Sequence, residues 1–378
     1  MEPALALALA LALWSLVVGR CRSILILPRP VVARIPPILS PSSMIQPGGK
    51  YHPNKFSSCH AIYNLANELE LGDKSERAPY VRYLLSQTRG TMPGEWSEAG
   101  SRFLAKEILG DGDLPPYEGS WRTKFDGEWL GVCSGTELSS DPHAHAYERA
   151  AYWLASSRDE DTLMVPVYDM ANHSNDPDLL NTLSYKPEKA GDAFLFKASR
   201  DIARGEQLYN SYNRCNVCSD ARKGDCETYS YARTPDLFVS FGFVEDYPQN
   251  WEFDPHNGDS GDDEDDTEFE FCLDSDAETG KLAARWGDRE DDKPDAADVR
   301  WLRGQMGRLR ALSGEKERLE GKLVRRGGTG MSDEEDDDKD KMSRWEWESA
   351  WKYHAALSRA IAAAISSVTT EDWHDGEL

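Results

Sequence analysis

A chain of 378 residues, 39% of them apolar and twelve of them Trp, is long enough to bury the cores of two domains of ordinary size. That excludes a wholly disordered protein. The formal net charge is −24, of which residues 258–280 supply −11 and residues 331–341 supply −5. A surface of this sign argues against nucleic acid as a partner, because it would repel a phosphate backbone. It is compatible with a basic peptide substrate.

Both acidic stretches read as solvated, disordered insertions. The seven cysteines (Cys21, Cys59, Cys133, Cys215, Cys218, Cys226 and Cys272) form no even disulfide framework, so a mostly reduced state is expected.

From the N-terminus, Ala4 to Val18 is an apolar run followed by Gly19, Arg20 and Cys21. It resembles the hydrophobic region of a secretory signal, although Glu2 stands where a positive charge is usual. It is short for a membrane span of ~20 residues. Residues 1–21 therefore read as a targeting leader, secretory or plastid, with membrane attachment only if it is retained as an anchor. A cytoplasmic or nuclear location follows instead if the start is misassigned.

Residues 22–50 are rich in Pro and Ser, with an extended piece at Ile24–Leu27 that predicts a strand and then a linker. Over 61–71, the spacing of Ile62, Leu65, Ala66 and Leu69 predicts a helix. "APYVRYLL" and "WSEAGSRFLAKEIL" predict two further short helices, the second introduced by Ser97. Residues 143–158 predict a helix with an aromatic face. "TLMVPVYDM" is short and β-branched, and predicts a strand.

The segment 181–213 reads as hairpin-like strands around turns at 189–192 and 204–205. The core is expected to end around "FVSFGFVEDYPQNWEF". Beyond the first acidic stretch, residues 296–324 place Leu302, Met306, Leu309, Leu312, Leu319 and Leu323 at helical spacing, with several Gly interrupting. Residues 343–368 place Trp347, Trp351, His354, Leu357, Ile361 and Ile365 on one stripe. These two helices are expected to form a separate unit. No internal repeat is present.

One stretch, "YDMANHSNDPDL" at 168–179, is dense in hydrogen-bonding side chains. Three readings stand: a polar loop with Asx turns, a glycosylation acceptor at Asn172-His173-Ser174, and a buried polar site for a cofactor.

In chain order, "SSRDEDTLMVPVYDMANHS", "FLFKASRDIARGEQLYNSYN" and "PDLFVSFGFVEDYP" resemble the SET-domain protein methyltransferases, in particular the branch typified by the Rubisco large-subunit methyltransferase. The shared features are a Ser-Arg pair, a P-x-x-D-M-x-N-H segment, a G-E-x-x-x-x-Y segment and an F-G-F-V segment. "RAPYVRYLLSQTRGTMPGEWSEAGSRFLAKEIL" is similar to the helical insertion of that branch, and "EWESAWKYHAALSRAIAAAI" to its helical substrate-binding domain.

The resemblance implies an α+β fold: a SET-type β core of short sheets with an inserted helical segment, then a C-terminal helical domain. The expected division is a leader at 1–21, a SET domain at 22–254 with its insertion at about 61–155, an acidic disordered insertion at 255–295, and a helical region at 296–378 with an acidic loop at 327–342. The implied activity is methyl transfer from S-adenosylmethionine to a lysine, or a histidine, of a protein substrate. A monomer is expected.

The chemistry itself sets requirements. An in-line displacement needs methyl donor and acceptor nitrogen in near-attack geometry. It also needs a neutral amine, which a desolvating channel favours, since a lysine amine is protonated below about pH 10.4. Asn172 and His173 supply side-chain donors and acceptors, and a tight polar turn leaves backbone groups for an adenine edge.

The resemblance assigns Asn172, His173 and nearby Asp169 to cofactor binding, and Arg158 to the donor's carboxylate, where a planar cation suits. It makes Tyr212 the catalytic residue, with Tyr209 the competing tyrosine in the substrate channel. Phe241 would wall the cofactor pocket and Phe243 the lysine channel. The family's opening Gly-x-Gly strand is not found; "ILILPR" looks like the end of that segment.

Cys215-Asn216-Val217-Cys218, with Cys226 beyond, is half of a structural zinc site without a fourth cysteine close by. An ordinary loop without metal is expected. The missing Gly-x-Gly strand also motivates a catalytically silent SET-fold binding module, and the leader with the sequon motivates a secreted glycoprotein.

Overall fold

The computed structural model describes residues 31–35, 57–87, 90–117, 146–158, 164–166, 168–176, 178–185, 194–212, 233–255, 269–275, 279–286, 294–326 and 341–368. In chain order, these form β1 (Val31–Ile35), α1 (Ser57–Leu71), α2 (Ala78–Leu85), α3 (Glu98–Arg102) and α4 (Ala146–Arg158). Then come β2 (Asn172–His173), β3 (Thr182–Tyr185), β4 (Phe194–Ala198), β5 (Tyr209–Asn210) and α5 (Thr234–Phe241). The order closes with β6 (Gln249–Phe253), β7 (Phe269–Ser275), β8 (Leu282–Trp286), α6 (Ala296–Arg326) and α7 (Arg344–Ser367). Mixed short sheets and helices make this an α+β protein, as expected.

The chain divides into two compact units. The first takes residues 1–88, 125–174 and 178–210. Here α1 turns Ile62, Leu65, Ala66 and Leu69 inward, the face its spacing predicts, and packs against α4, which buries Ala150, Ala151, Tyr152, Trp153 and Ala155. The strands β1, β4 and β3 pair antiparallel in that order. The two-residue strands β2 and β5 pair in parallel.

The expected strand over "TLMVPVYDM" is corrected. Met164 makes a single bridge, and Tyr168–Met170 is a 3-10 turn. The Asp169 N–H donates to the Val165 carbonyl (3.1 Å), which curls the backbone, and Pro166 has no N–H to give to a ladder.

The second unit takes residues 89–124, 175–177 and 211–378. Ser97 caps α3 by accepting from the Gly100 N–H, and one π-helical turn (Phe103–Ile108) carries the chain on. The sheet has the order β6-β7-β8, all antiparallel. Phe253, Phe269, Phe271 and Trp251 of this sheet share one core with Trp96, Leu104 and Ile108, with Leu302, Met306 and Leu309 of α6, and with the α7 stripe.

Three expectations are corrected here. The helices α6 and α7 do not stand apart as a separate unit, because their apolar stripes close over the β6–β8 sheet. The helix α6 runs unbroken through Gly304, Gly307, Gly314 and Gly321; burial of Leu302, Met306, Leu309 and Leu312 offsets the low helix propensity of glycine in its first half. The acidic insertion at 255–295 contains two strands, in which Phe269, Phe271 and Leu273 face the core while Glu270 and Asp274 face outward. Alternation, not net charge, decides that segment.

The thiols are corrected too: Cys59, in the first unit, and Cys272, in the second, both fully or almost fully buried, are each in a disulfide. Pairing depends on distance in the fold, which spacing along the chain does not report. The leader, "ILILPR", the turn at 189–192, the loop 327–340 and Cys215, Cys218 and Cys226 lie outside the described residues. Among the described residues, no helix is long and apolar enough to cross a membrane.

Candidate active site

The dense polar stretch at 168–176 divides between inside and outside. Asp169, Ser174 and Asn175 are buried, His173 is half-buried and Asn172 is exposed. In the first unit, Asn172 and His173 are β2, and its neighbour is β5: Asn172 lies opposite Tyr209, and His173 opposite Asn210. The Asn172 N–H donates to the Leu208 carbonyl (2.9 Å) and the Ser174 N–H to the Asn210 carbonyl (3.1 Å). Those two backbone donors are taken up by the ladder. What β2 offers at these positions is side chains.

The other side of β5 is held by Asn181, which is fully buried. Its Oδ1 accepts from the Tyr209 N–H (2.8 Å), and its Nδ2 donates to the Gln207 carbonyl (2.7 Å) and to Glu206 Oε1 (3.2 Å). Thr182 Oγ1 donates to the Tyr209 carbonyl (2.6 Å), and Asn210 Nδ2 donates to the Tyr168 hydroxyl (2.9 Å). Glu206 accepts from the Ala203 N–H (2.8 Å) and pairs with Arg200, and these bonds hold its carboxyl below the usual range. The G-E of the sequence motif therefore closes a turn, with Gly205 at φ 86°, and aligns β5.

Arg158 and Asp169 stand in one cluster. Arg158, the last residue of α4, donates through Nη1 to the Tyr83 hydroxyl (3.0 Å) and the Asp169 carbonyl (3.1 Å), and through Nη2 to Gln87 Oε1 (3.0 Å). Its guanidinium also lies 5.6 Å from the Tyr83 ring centroid. The Asp169 carboxylate turns inward and accepts from the Tyr80 hydroxyl (2.7 Å). Burial, and then Asp169, push the Tyr80 phenol well above its ordinary range. It stays a protonated donor.

In the second unit, Tyr212 sits in an aromatic group. Its ring centroid is 4.8 Å from Phe241 and 6.2 Å from Phe243, which are 5.9 Å from each other. Gly242 between the two phenylalanines caps α5 at φ 77°, and a Cβ there would meet the Thr91 carbonyl oxygen at 2.0 Å. Only glycine fits. The glycine of the F-G-F segment thus sets the directions of two aromatic neighbours of Tyr212.

Residues 51–213 match the SET domain family model. The matched stretch contains Arg158, Asp169, Asn172, His173, Tyr209 and Tyr212. SET domains in general are protein methyltransferases that use S-adenosylmethionine, most of them acting on lysine. Neither a curated protein nor a solved structure matches the chain.

Within the matched stretch, Asn172, His173 and Tyr209 come together on one strand pair, while Arg158 and Asp169 share a second cluster in the same unit. Tyr212, Phe241 and Phe243 come together in the second unit. Four polar residues of these surroundings, Asn175, Asn181, Ser211 and Glu245, carry no signal of their own in the sequence. Asn175 is one of several polar residues in its stretch, Asn181 and Ser211 lie in the segment read as hairpin-like strands, and Glu245 lies in the one expected to end the core. Among the described residues, no group of His, Cys, Asp and Glu could hold a metal ion.

Proposed function

We propose that the protein is a methyltransferase of the Rubisco large-subunit methyltransferase-like branch, transferring a methyl group from S-adenosylmethionine to a lysine side chain of a protein substrate, with histidine as the alternative acceptor. The observation that carries this reading is the parallel pairing of Asn172-His173 with Tyr209-Asn210, inside a stretch that matches the SET domain.

The side chains fit a cofactor with amino-acid and adenine ends. Asn172, exposed, offers both an amide donor and a carbonyl acceptor, and His173, half-buried beside it, adds a ring nitrogen. Asp169 and Arg158 brace the turn that carries them, through Tyr80 for the one and Tyr83 and Gln87 for the other. When bound, S-adenosylmethionine supplies a methyl group on a sulfonium, an electrophile for a neutral amine.

The phenol of Tyr212 would orient the acceptor nitrogen. Phe241 and Phe243 beside it would exclude water, which favours the uncharged amine. The net charge of −24 suits a basic protein substrate.

One observation favours a second reading, a catalytically silent SET-fold binding module. The Arg158 guanidinium, expected at the donor's carboxylate, already holds Tyr83, Gln87 and a backbone carbonyl. Calorimetric titration of the full chain with S-adenosylmethionine separates the two. Saturable binding, followed by label transfer from methyl-labelled donor to lysine-bearing protein, is expected. Absence of saturable binding refutes the enzyme.

A further inference from the structure

We propose that Asn175, Ser211 and Glu245 are positioning residues, forming a buried hydrogen-bond chain that sets Tyr212 against Phe241 and Phe243. The inference rests on the methyltransferase reading for its catalytic meaning, but not for its geometry.

Ser211 Oγ donates to Asn175 Oδ1 (2.9 Å), and Asn175 Nδ2 donates to Glu245 Oε2 (2.7 Å). The other oxygen of the same carboxylate, Oε1, accepts from the Thr234 hydroxyl (2.7 Å). Asn175, Glu245 and Thr234 are 1%, 4% and 0% exposed, so these polar groups are removed from water and depend on one another. Thr234 in turn accepts from the Asn250 N–H (3.1 Å), and the Glu245 carbonyl accepts from Gln249 Nε2 (2.7 Å), which anchors the chain in β6.

The chain ends where the aromatic group begins. Ser211 is the residue before Tyr212. Thr234 opens α5, and Phe241 ends it. Glu245 follows Phe243 by two residues. One carboxylate therefore ties together the three backbone segments that carry the three rings.

The donors and acceptors also have a fixed direction. Both Asn175 Nδ2 and the Thr234 hydroxyl point donors at Glu245, which a carboxylate satisfies and a carboxamide satisfies only in part. Asn175 Oδ1 must then accept from Ser211. Exchanging the polarity at both ends keeps every bond: an aspartate at 175 accepts from Ser211 and from a glutamine at 245, which still accepts from Thr234. An aspartate at 175 alone sets two carboxylates against each other in the interior.

The test uses the full chain with fluorotyrosine placed at position 212, reading its fluorine resonance together with methyl-transfer kinetics. Ser211→Ala removes one half-buried hydroxyl and is expected to retain the fold. It should shift the resonance and lower kcat about tenfold or more, with KM and donor affinity unchanged, as expected when a reacting group is misplaced. Asn175→Asp should do the same more severely or fail to fold, and Asn175→Asp with Glu245→Gln should restore both the resonance and kcat. An unmoved resonance in Ser211→Ala, or a double variant no better than Asn175→Asp, overturns the proposal. If the wild-type chain transfers no methyl group, the function above fails, while the resonance still decides whether the chain positions Tyr212.

Discussion

Tyr212 and Phe241 hold their ring centroids 4.8 Å apart at an interplanar angle of 41°, and Phe243 meets the same tyrosine nearly edge-on. The packing of the Tyr212 ring depends on its body, whereas the proposed chemistry depends on its hydroxyl. Tyr212→Phe is therefore expected to keep the wild-type unfolding transition and lose turnover about a hundredfold or more. Kinetics and thermal unfolding of the same preparation check this, and unchanged turnover would move the catalytic role to another residue.

Asn172 is exposed on β2, and its backbone is held by the ladder whatever its side chain. Asn172→Ala should leave stability within about 0.5 kcal/mol. It should weaken S-adenosylmethionine binding roughly tenfold, the worth of one hydrogen-bonding group. Calorimetric titration measures it, and wild-type affinity in this variant would contradict the assignment. Exposure also leaves the side chain of Asn172-His173-Ser174 accessible, so intact mass of the mature protein would reveal a glycan, which is incompatible with a ligand role.

Gly242→Ala should destabilise the protein by more than about 3 kcal/mol. The backbone there is left-handed, and the added methyl would overlap the Thr91 carbonyl. Denaturant unfolding measures the loss. A mild effect would mean that residues 90–92 move aside easily, and that Phe241 and Phe243 are held by something other than this close approach.

Glu346 joins two helix starts. Its carboxylate accepts from the Ser343 N–H (2.7 Å) in the capping box of α7, and also from the backbone N–H and hydroxyl of Ser97, which caps α3. Glu346→Ala leaves these half-buried donors without their acceptor and should cost about 2 kcal/mol. Glu346→Gln keeps one acceptor oxygen and should cost less. Equal losses in the two variants, seen by chemical denaturation, would count against the shared-cap account.

His354 is buried on α7, where Nε2 lies 3.0 Å from the Leu309 carbonyl of α6. Burial lowers its pKa, with Arg308 and Lys316 nearby acting in the same direction. The unfolded chain therefore binds a proton there more readily than the folded one. Stability is fully present above the unfolded value, falls as pH drops through about 6.5, and stops falling once the folded value is passed. His354→Gln can still donate to Leu309 and does not titrate, so its stability should fall less over the same interval. Parallel pH dependences in the two proteins would refute this.

Much of the fold can be read along the chain, wherever one face of an element does the work. The stripe Trp347, Trp351, His354, Leu357 and Ile361 gives α7, and Ile62, Leu65, Ala66 and Leu69 give α1, because helical spacing alone gathers those side chains on one side. The strand expected over "TLMVPVYDM" failed for a local reason: β-branched composition outweighed Pro166 in the reading, but in the backbone the missing N–H and the Asp169-to-Val165 bond prevailed. The strand β7 was hidden inside an acidic run, since net charge averages over the alternation that separates Phe269, Phe271 and Leu273 from Glu270 and Asp274.

Motif order along the chain was enough to expect a SET domain, whose family model matches residues 51–213, and to make Asn172, His173 and Tyr212 candidates, because they lie in the short segments that carry the resemblance. Which polar residues face inward was decided by packing between distant segments. Asn175 meets Ser211 and Glu245, and Asn181 meets the backbone of β5, across separations of 25 residues or more. A buried carboxamide and a surface one have the same letter in the sequence. The cost of burying an unpaired polar group distinguishes them, and only the three-dimensional fold supplies the partners that remove it.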